Sequence, residues 1–287
     1  MKPAAFDYHR VSEVEEAVEL LTELGPEAKV LAGGQSLVPM MNFRLARPSA
    51  LVDIGRIPGL DHIRRSGDRL HIGALTTHRA VEVCRDPGLL DGFSVLARAA
   101  RWIGHYPIRC RGTFGGSVAH GDSTAEWCLL AVLLDANVVL QGPAGRREMP
   151  ASEFLLGFFS TAAEHGEVVV EVVFPRPAPQ SALLEHSQRQ GDFAVVAAAV
   201  DVDVEDGVCR SARIVLGGVD PLPVRMTDAE DSLVGTSLDE HARNEAGRLA
   251  AAACDPASDG HGSADYRRSL AAAMVSRALV DAVAQRG

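Results

Sequence analysis

The chain is 287 residues long and 47% hydrophobic, enough for two domains of ordinary size with a sizeable core. Its formal net charge is −10, Lys2 and Lys29 are its only lysines, and it has no basic tract. Nucleic acid is thereby excluded as the main partner, because neutralising phosphates takes clustered Lys and Arg.

The N-terminal stretch MKPAAFDYHRVSEVEEA holds no apolar segment of signal-peptide type. Ser12 followed three residues later by Glu15 forms a capping box, and Val14, Val18 and Leu21 recur at helical spacing, which predicts an amphipathic helix over 12–24 ending at Gly25-Pro26. AKVLA follows as a short buried strand. After the glycine pair Gly33-Gly34, Ser36 is placed to cap a second short helix. SALVDIGRI and RLHIGALTT read as strands, the latter preceded by a turn at Ser66-Gly67-Asp68. Residues 79–86 and 91–104 are predicted helical. IRCRGTFGGSVAHGD reads as irregular, before a helix starting near Thr124. ANVVLQGPAGRREMPASEFL reads as a hairpin returning to helix, and EVVVEVVFP as a strand stopped by Pro175. The most apolar stretch, Cys128 to Leu140, carries Asp135 and Asn137 and is too short to span a bilayer, so no transmembrane segment is expected.

PRPAPQ is the best linker candidate. Beyond it, FAVVAAAVDVDVEDGVCRSARIVLGGV reads as two long strands joined at Asp206-Gly207, and helices are predicted at roughly 239–254 and 265–285. In the last helix Ala271, Met274, Val275, Ala278, Leu279 and Ala282 form one apolar face. Strands and helices mix without regular βαβ alternation, so both parts are α+β.

The five cysteines, Cys84, Cys110, Cys128, Cys209 and Cys254, are scattered without a CxxC pair. Neither a zinc ribbon nor a ferredoxin-type cluster has its ligands here, and a reducing cytoplasm fits. Two glycine-rich stretches carry the chemistry: Ala32-Gly33-Gly34-Gln35-Ser36 and Gly112-Thr113-Phe114-Gly115-Gly116-Ser117. Glycine tolerates positive φ and has no side chain to block a ligand, and successive main-chain N–H groups form a concave anion site. Ser36, Thr113 and Ser117 add hydroxyl donors for phosphate oxygens; a plain tight turn is the alternative for either stretch alone. Neither matches a P-loop, which ends in Gly-Lys-Ser/Thr, nor the G-x-G-x-x-G of a Rossmann unit. A dinucleotide bound here is bound by another fold.

VLAGGQSLVPMMNFRLARPSALVDIGRIPGL together with IGHYPIRCRGTFGGSVAHGDSTAEW resembles the FAD-binding medium subunit of the molybdenum hydroxylases, as found in carbon monoxide dehydrogenase and, as an internal module, in xanthine dehydrogenase. IVLGGVDPLPVR and YRRSLAAAMVSRAL are similar to that family's C-terminal domain. The resemblance implies a p-cresol methylhydroxylase-type FAD domain over 1–176, with subdomains of about 1–55 and 56–176, and a smaller α+β C-terminal domain over 177–287. It implies that Ala32, Gly33, Gly34, Gln35, Ser36 and Leu37 grip the FAD pyrophosphate from one side, and Thr113, Gly115, Gly116 and Ser117 from the other. The sequence departs from the family at Phe114, where Ile or Leu is usual, at Gly121-Asp122-Ser123 in place of Ala-Asp-Pro, and at Cys128, which replaces a frequent Pro.

By the same resemblance Glu126 bonds FAD hydroxyls, with helix capping as the alternative for it and for Asp122. His120 is a cofactor contact or a surface loop histidine. Ile103 touches the flavin ring or packs in the core with Trp102, and Trp127 reads as core. Arg189 and Asp192, in RQGDFA, match a segment near the isoalloxazine; the alternatives are a solvated arginine and a turn former. No catalytic triad, paired-carboxylate site or metal-ligand cluster is read from the sequence.

The implied function is electron transfer. A large partner subunit carries a molybdopterin cofactor and oxidises the substrate. A small partner subunit holds two 2Fe–2S clusters, and electrons pass from them through FAD on this chain to an external acceptor, in a dimer of heterotrimers. The alternatives are a free-standing FAD-dependent oxidase or dehydrogenase of the same fold, and a non-enzymatic nucleotide-binding scaffold.

Overall fold

The structure is a computed structural model and describes residues 1–285. The first unit runs β1 (Asp7–Arg10), α1 (Val14–Leu24), β2 (Ala28–Leu31), α2 (Leu37–Asn42) and β3 (Ala50–Asp53). β3 lies between β1 and β2 and is parallel to both, with Asp7 and Ala28 each in register with Ala50. Parallel strands need crossover connections, and α1 supplies the one from β1 to β2, which leaves the place between them to β3. On the way α1 buries Ala17, Val18 and Leu21. Its start corrects the capping-box reading. Glu13 holds the N-cap position without a side-chain bond, so the third helical residue is Glu16 rather than Glu15, and Glu16 Oε2 accepts from the Ser12 amide at 2.9 Å. Ser36 does precede α2, but its hydroxyl makes no capping bond.

The second unit contains β4 (Ile63–Ser66), β5 (Arg69–Gly73), α3 (His78–Val83), α4 (Pro87–Ala99), α5 (Tyr106–Arg109), α6 (Phe114–His120), α7 (Glu126–Leu133), β6 (Asn137–Gly142), β7 (Gly145–Pro150), α8 (Ala151–Phe154), β8 (Leu155–Gly157), β9 (Ser160–Thr161) and β10 (Val168–Phe174). Its main sheet has the order β4-β5-β10-β6-β7, and β8 and β9 form a separate ribbon. β10 reads VVVEVVF and every residue of it is buried. Val169, Val172 and Phe174 join the core beneath α4, α6 and α7, while Val168, Val170 and Val173 join the core shared with α1 and β3. A strand covered on both faces reads as a continuous apolar run rather than an alternation.

The segment expected to be irregular is largely helical, because α5 and α6 occupy it. The Thr113 hydroxyl caps α6 by accepting from the Gly116 amide at 3.2 Å, and Gly115 lets the first turn sit against β5's end: a Cβ there would lie 2.4 Å from Ala74 Cβ. The two glycines shape a helix start instead of a loop.

The third unit comprises β11 (Ser181–His186), β12 (Val196–Glu205), β13 (Val208–Gly217), β14 (Val224–Arg225), α9 (Thr227–Leu233), α10 (Glu240–Ala253) and α11 (Ala264–Ala284), with an antiparallel sheet in the order β11-β12-β13-β14. Asp206 and Gly207 both have positive φ, 51° and 79°, as a two-residue hairpin turn matched to strand twist requires. One face of this sheet packs on α9 and α11, with α10 laid against both helices, and Ala271, Met274, Val275, Ala278, Leu279 and Ala282 of α11 are all buried as the helical spacing predicts. The other face, through Leu183, Ala197, Ala199 and Val215, packs on α7. All of Trp127 to Leu133 is buried, since a helix apolar all round has no face to give to solvent. α7 therefore sits between the second and third units, and its N-terminal end borders the cleft described next. The architecture is α+β.

Candidate functional site: a cleft between two glycine stretches

β2 ends at Leu31, and the chain leaves its sheet through Ala32 to Ser36 before entering α2. Gly34 has φ +69°, a left-handed conformation that excludes most side chains. Gly33 is needed for a different reason: a Cβ on it would lie 2.2 Å from the carbonyl oxygen of Arg111 and 2.8 Å from Gly112 Cα. The two glycine stretches, far apart in sequence, are thus in main-chain contact. The Gln35 side chain folds back, its Nε2 donating to Gly33 O at 2.9 Å.

The two stretches differ in what their amides do. Among the described residues, the N–H groups of Gly33, Gly34, Gln35, Ser36 and Leu37 donate to no protein acceptor. In the second stretch Phe114 N donates to Thr76 O, Gly115 N to Ala74 O and Ser117 N to Thr113 O, at 2.8, 2.9 and 3.0 Å, and the Gly116 amide is held by the Thr113 hydroxyl. Main-chain donors that face no protein partner must meet solvent or a ligand. The first stretch offers a run of five; the second offers the hydroxyls of Thr113 and Ser117 beside it.

Both border a cleft of about 740 Å³, within the range typical of small-molecule and cofactor sites. Ala32 to Leu37, Ile103, Thr113, Gly116, Ser117, His120, Asp122, Glu126 and Asp192 line it. Gly115 lies behind the wall against Ala74. The Arg189 side chain is 84% exposed and pairs with Asp192 at 3.1 Å. Asp122 is buried and its Oδ1 accepts from both the amide and the hydroxyl of Thr124 at 2.8 Å, the turn that leads into α7. The N-cap of α7 is Ala125, and Glu126 is the first helical residue.

Burial lowers the His120 pKa below its ordinary value, with Asp122 opposing the shift, and its ring lies 4.7 Å from that of Phe159. Burial raises Glu126 well above the usual carboxyl range, and the charges of Glu185 and Asp122 push it further the same way. Glu185 stands on β11 in register with Ala197, which is itself opposite Gly217, so the row faces the approach to α7, where the Gly217 Cβ position would meet Ser123 O. Burial brings Glu185 to about 7, and its Oε2 has no hydrogen-bond partner among the described residues.

The sequence reading missed four participants, His78, Phe159, Phe193 and Glu185. His78, the first residue of α3, lines the cleft, and Trp127 Nε1 donates to its Nδ1 at 2.9 Å. Trp127 is core, as expected, stacked on Phe114 at 4.5 Å, but its polar edge serves the cleft wall. Phe159 and Phe193 are lining residues that are largely exposed. The signal for His78 was the Thr77 N-cap, whose hydroxyl accepts from the Ala80 amide; nothing in the sequence announced Glu185.

A cleft of cofactor size, a run of free amides at a glycine pair, and hydroxyls beside them suit a diphosphate, and they define a dinucleotide-binding α+β protein of neither the P-loop nor the Rossmann class. The comparisons agree with this reading. The chain belongs to the family described as "FAD binding domain in molybdopterin dehydrogenase", matched over residues 4–177, and residues 182–282 match the "CO dehydrogenase flavoprotein C-terminal domain". It is 42% identical to the 6-hydroxypseudooxynicotine dehydrogenase complex subunit alpha of Paenarthrobacter nicotinovorans, over 99% of this chain and 96% of that one. Among solved structures it superposes on carbon monoxide dehydrogenase from Hydrogenophaga pseudoflava lacking the Mo-pyranopterin moiety of the molybdenum cofactor, with TM-score 0.94, 40% identity and 99% coverage of both chains. Quinoline 2-oxidoreductase from Pseudomonas putida 86 gives TM-score 0.95, 38% identity and 99% coverage of both. The protein is an FAD-binding subunit of the molybdenum hydroxylase type. No helix among the described residues is long and apolar enough to cross a membrane.

Proposed function

We propose that the protein binds FAD in this cleft and relays electrons, received from two 2Fe–2S clusters on a small partner subunit and delivered to an external acceptor, while a large partner subunit with a molybdopterin cofactor oxidises the substrate in the cytoplasm. The assembly is a dimer of heterotrimers, and within the chain the FAD domain ends near residue 176. The observation that best supports this reading is the run of five uncommitted amides from Gly33 to Leu37 beside a glycine whose missing Cβ brings the second stretch into contact.

In this arrangement the Ala32–Leu37 backbone and the Thr113 and Ser117 hydroxyls hold the diphosphate, with Gly115 and Gly116 keeping that wall thin. Glu126 accepts from hydroxyls of the cofactor, His120 and Asp122 border it, and Ile103 with the Arg189–Asp192 turn borders the flavin. Bound FAD supplies the chemistry, exchange of electrons singly or in pairs, and the chain orients it and sets its surroundings.

Co-purification from the native source with metal and flavin analysis tests the proposal. A three-subunit complex containing Mo, Fe and FAD is expected, together with a lone subunit that binds FAD but oxidises no organic substrate. Turnover of such a substrate by the lone subunit would instead establish the free-standing oxidase or dehydrogenase.

A further inference from the structure

His78 is held rigidly by the second glycine stretch. Its amide donates to Gly112 O at 3.0 Å, Phe114 N donates to Thr76 O at 2.8 Å, and Thr77 pairs with Thr113 as an isolated antiparallel bridge. The side chain is 5% exposed. Trp127 Nε1 lies 2.9 Å from His78 Nδ1. An indole N–H can only donate, so Nδ1 must be the acceptor and carries no proton. The ring is neutral near pH 7, because burial and, secondarily, the charge of Arg109 lower its pKa to about 4. A neutral imidazole without a proton on Nδ1 carries it on Nε2. The tautomer is therefore set by the tryptophan.

The Nε2–H has no acceptor among the described residues, yet the ring lines the cleft. Gly112 leaves it uncovered: a Cβ at that position would lie 2.6 Å from Nε2. The same Gly112 has its Cα against Gly33, where the free amides begin. Opening onto the cleft, that donor is satisfied only by water or by a ligand oxygen. We infer that His78 is a further cofactor-binding residue, its Nε2–H donating to an oxygen of the dinucleotide's diphosphate, with Trp127 as the positioning residue that keeps this proton facing the cleft. This rests on the FAD-binding reading above. It adds to the amide run a side-chain donor that stays uncharged across the physiological range, so its hydrogen bond does not come and go with pH.

The test uses the full-length protein stripped of flavin, titrated with FAD and separately with ADP, alongside thermal unfolding. In His78→Asn the amide oxygen can still accept from Trp127, but the donor toward the cleft is gone; in His78→Gln the amide nitrogen can replace Nε2–H while the bond to Trp127 is lost. His78→Asn is expected to weaken both FAD and ADP by about tenfold or more with little change in melting temperature. His78→Gln is expected to melt lower and bind within a few-fold of wild type. Trp127→Phe, which keeps the aromatic stack on Phe114 but frees the tautomer, is expected to weaken FAD without touching the cleft. Wild-type affinity in both His78→Asn and Trp127→Phe, with only their melting temperatures lowered, overturns the inference and assigns the pair to the core. Weakened FAD with unchanged ADP overturns the diphosphate assignment. Failure of the wild-type chain to bind FAD at all would count against the FAD-binding reading, which separates the two failures.

Discussion

Gly33 and Arg111 meet backbone to backbone: the space a Cβ on Gly33 would take is 2.2 Å from the Arg111 carbonyl oxygen. No flexible side chain can yield there, so the contact couples the end of β2 to the start of the second stretch. The neighbouring Gly34 is constrained by its φ of +69° instead, and its Cβ would stand 3.1 Å from Val38 and 3.2 Å from Leu31. Gly33→Ala is expected to separate the two stretches, lowering stability by about 1–3 kcal/mol and flavin occupancy with it. Gly34→Val adds left-handed strain of roughly 1–2 kcal/mol and redirects the amides of the run. Flavin-to-protein ratio and denaturant midpoints check both; normal flavin occupancy in Gly34→Val would contradict the placement of the phosphates at this turn.

Much of this was legible in advance, and the reasons differ by element. The last helix showed its apolar face because a surface helix keeps a 3.6-residue period, and β10 showed as an apolar run broken only by Glu171 because both its faces are covered. β1 was missed because DYHR is exposed or half-exposed at an edge, and β4 because IRRS is likewise mostly polar. β11 and α9 carried too little periodic signal to stand out beside their neighbours. The glycine pairs were found, but their separate tasks were not. A sequence shows that a Cβ is absent, and only coordinates tell whether positive φ, as at Gly34, or a close neighbour, as at Gly33 and Gly115, forbids it. His78 escaped because its partner, Trp127, lies 49 residues away.

His78 and Glu185 are expected to give stability opposing pH dependences. His78 has an ordinary value of 6.5 and about 4 in the fold, so the unfolded chain binds the extra proton; its contribution is full above 6.5 and is lost as pH falls toward 4. Glu185 goes from 4.5 to about 7, so the folded chain holds the extra proton; its contribution is full below 4.5 and is lost as pH rises toward 7. Each is worth up to about 3 kcal/mol, at 1.36 kcal/mol per unit. The two slopes offset each other where the windows overlap. Glu185→Gln should make the decline toward pH 7 shallower without abolishing it, because Glu126, also raised by burial, keeps a slope of the same sign, and it should lower the Glu126 pKa by deleting a neighbouring charge. Urea midpoints against pH measure this; superimposable wild-type and mutant curves would show that Glu185 does not titrate with folding.

α7 is the shared wall of two sheets, so its side chains should be felt in both. Leu130 is fully buried in the core that joins β10 to the C-terminal sheet. Leu130→Ala is expected to lower stability by about 2–5 kcal/mol, with the exact loss set by how far the cavity collapses. Because the start of α7 carries Glu126 and Trp127, flavin release on warming should come earlier in the same variant. Calorimetry followed by flavin fluorescence would reveal whether release and unfolding shift together.

The cysteines predict a graded thiol reactivity. All five are free, with Cys110 exposed, Cys84 half-buried and Cys128, Cys209 and Cys254 buried. The thiolate is the reactive form, and burial raises the pKa of all three enclosed thiols, Cys254 to about 11, so they are doubly protected by access and by protonation. Cys128 is further disfavoured by the charges of Asp122 and Glu126. Titration of the native protein with an aromatic disulfide reagent should label Cys110 fast and Cys84 slowly, with the other three appearing only on denaturation. Cys110 follows α5 and does not line the cleft, so labelling it should leave bound flavin in place. Early reaction of Cys128 would mean that the α6–α7 packing opens in the native state, and the cleft wall built on it would open with it.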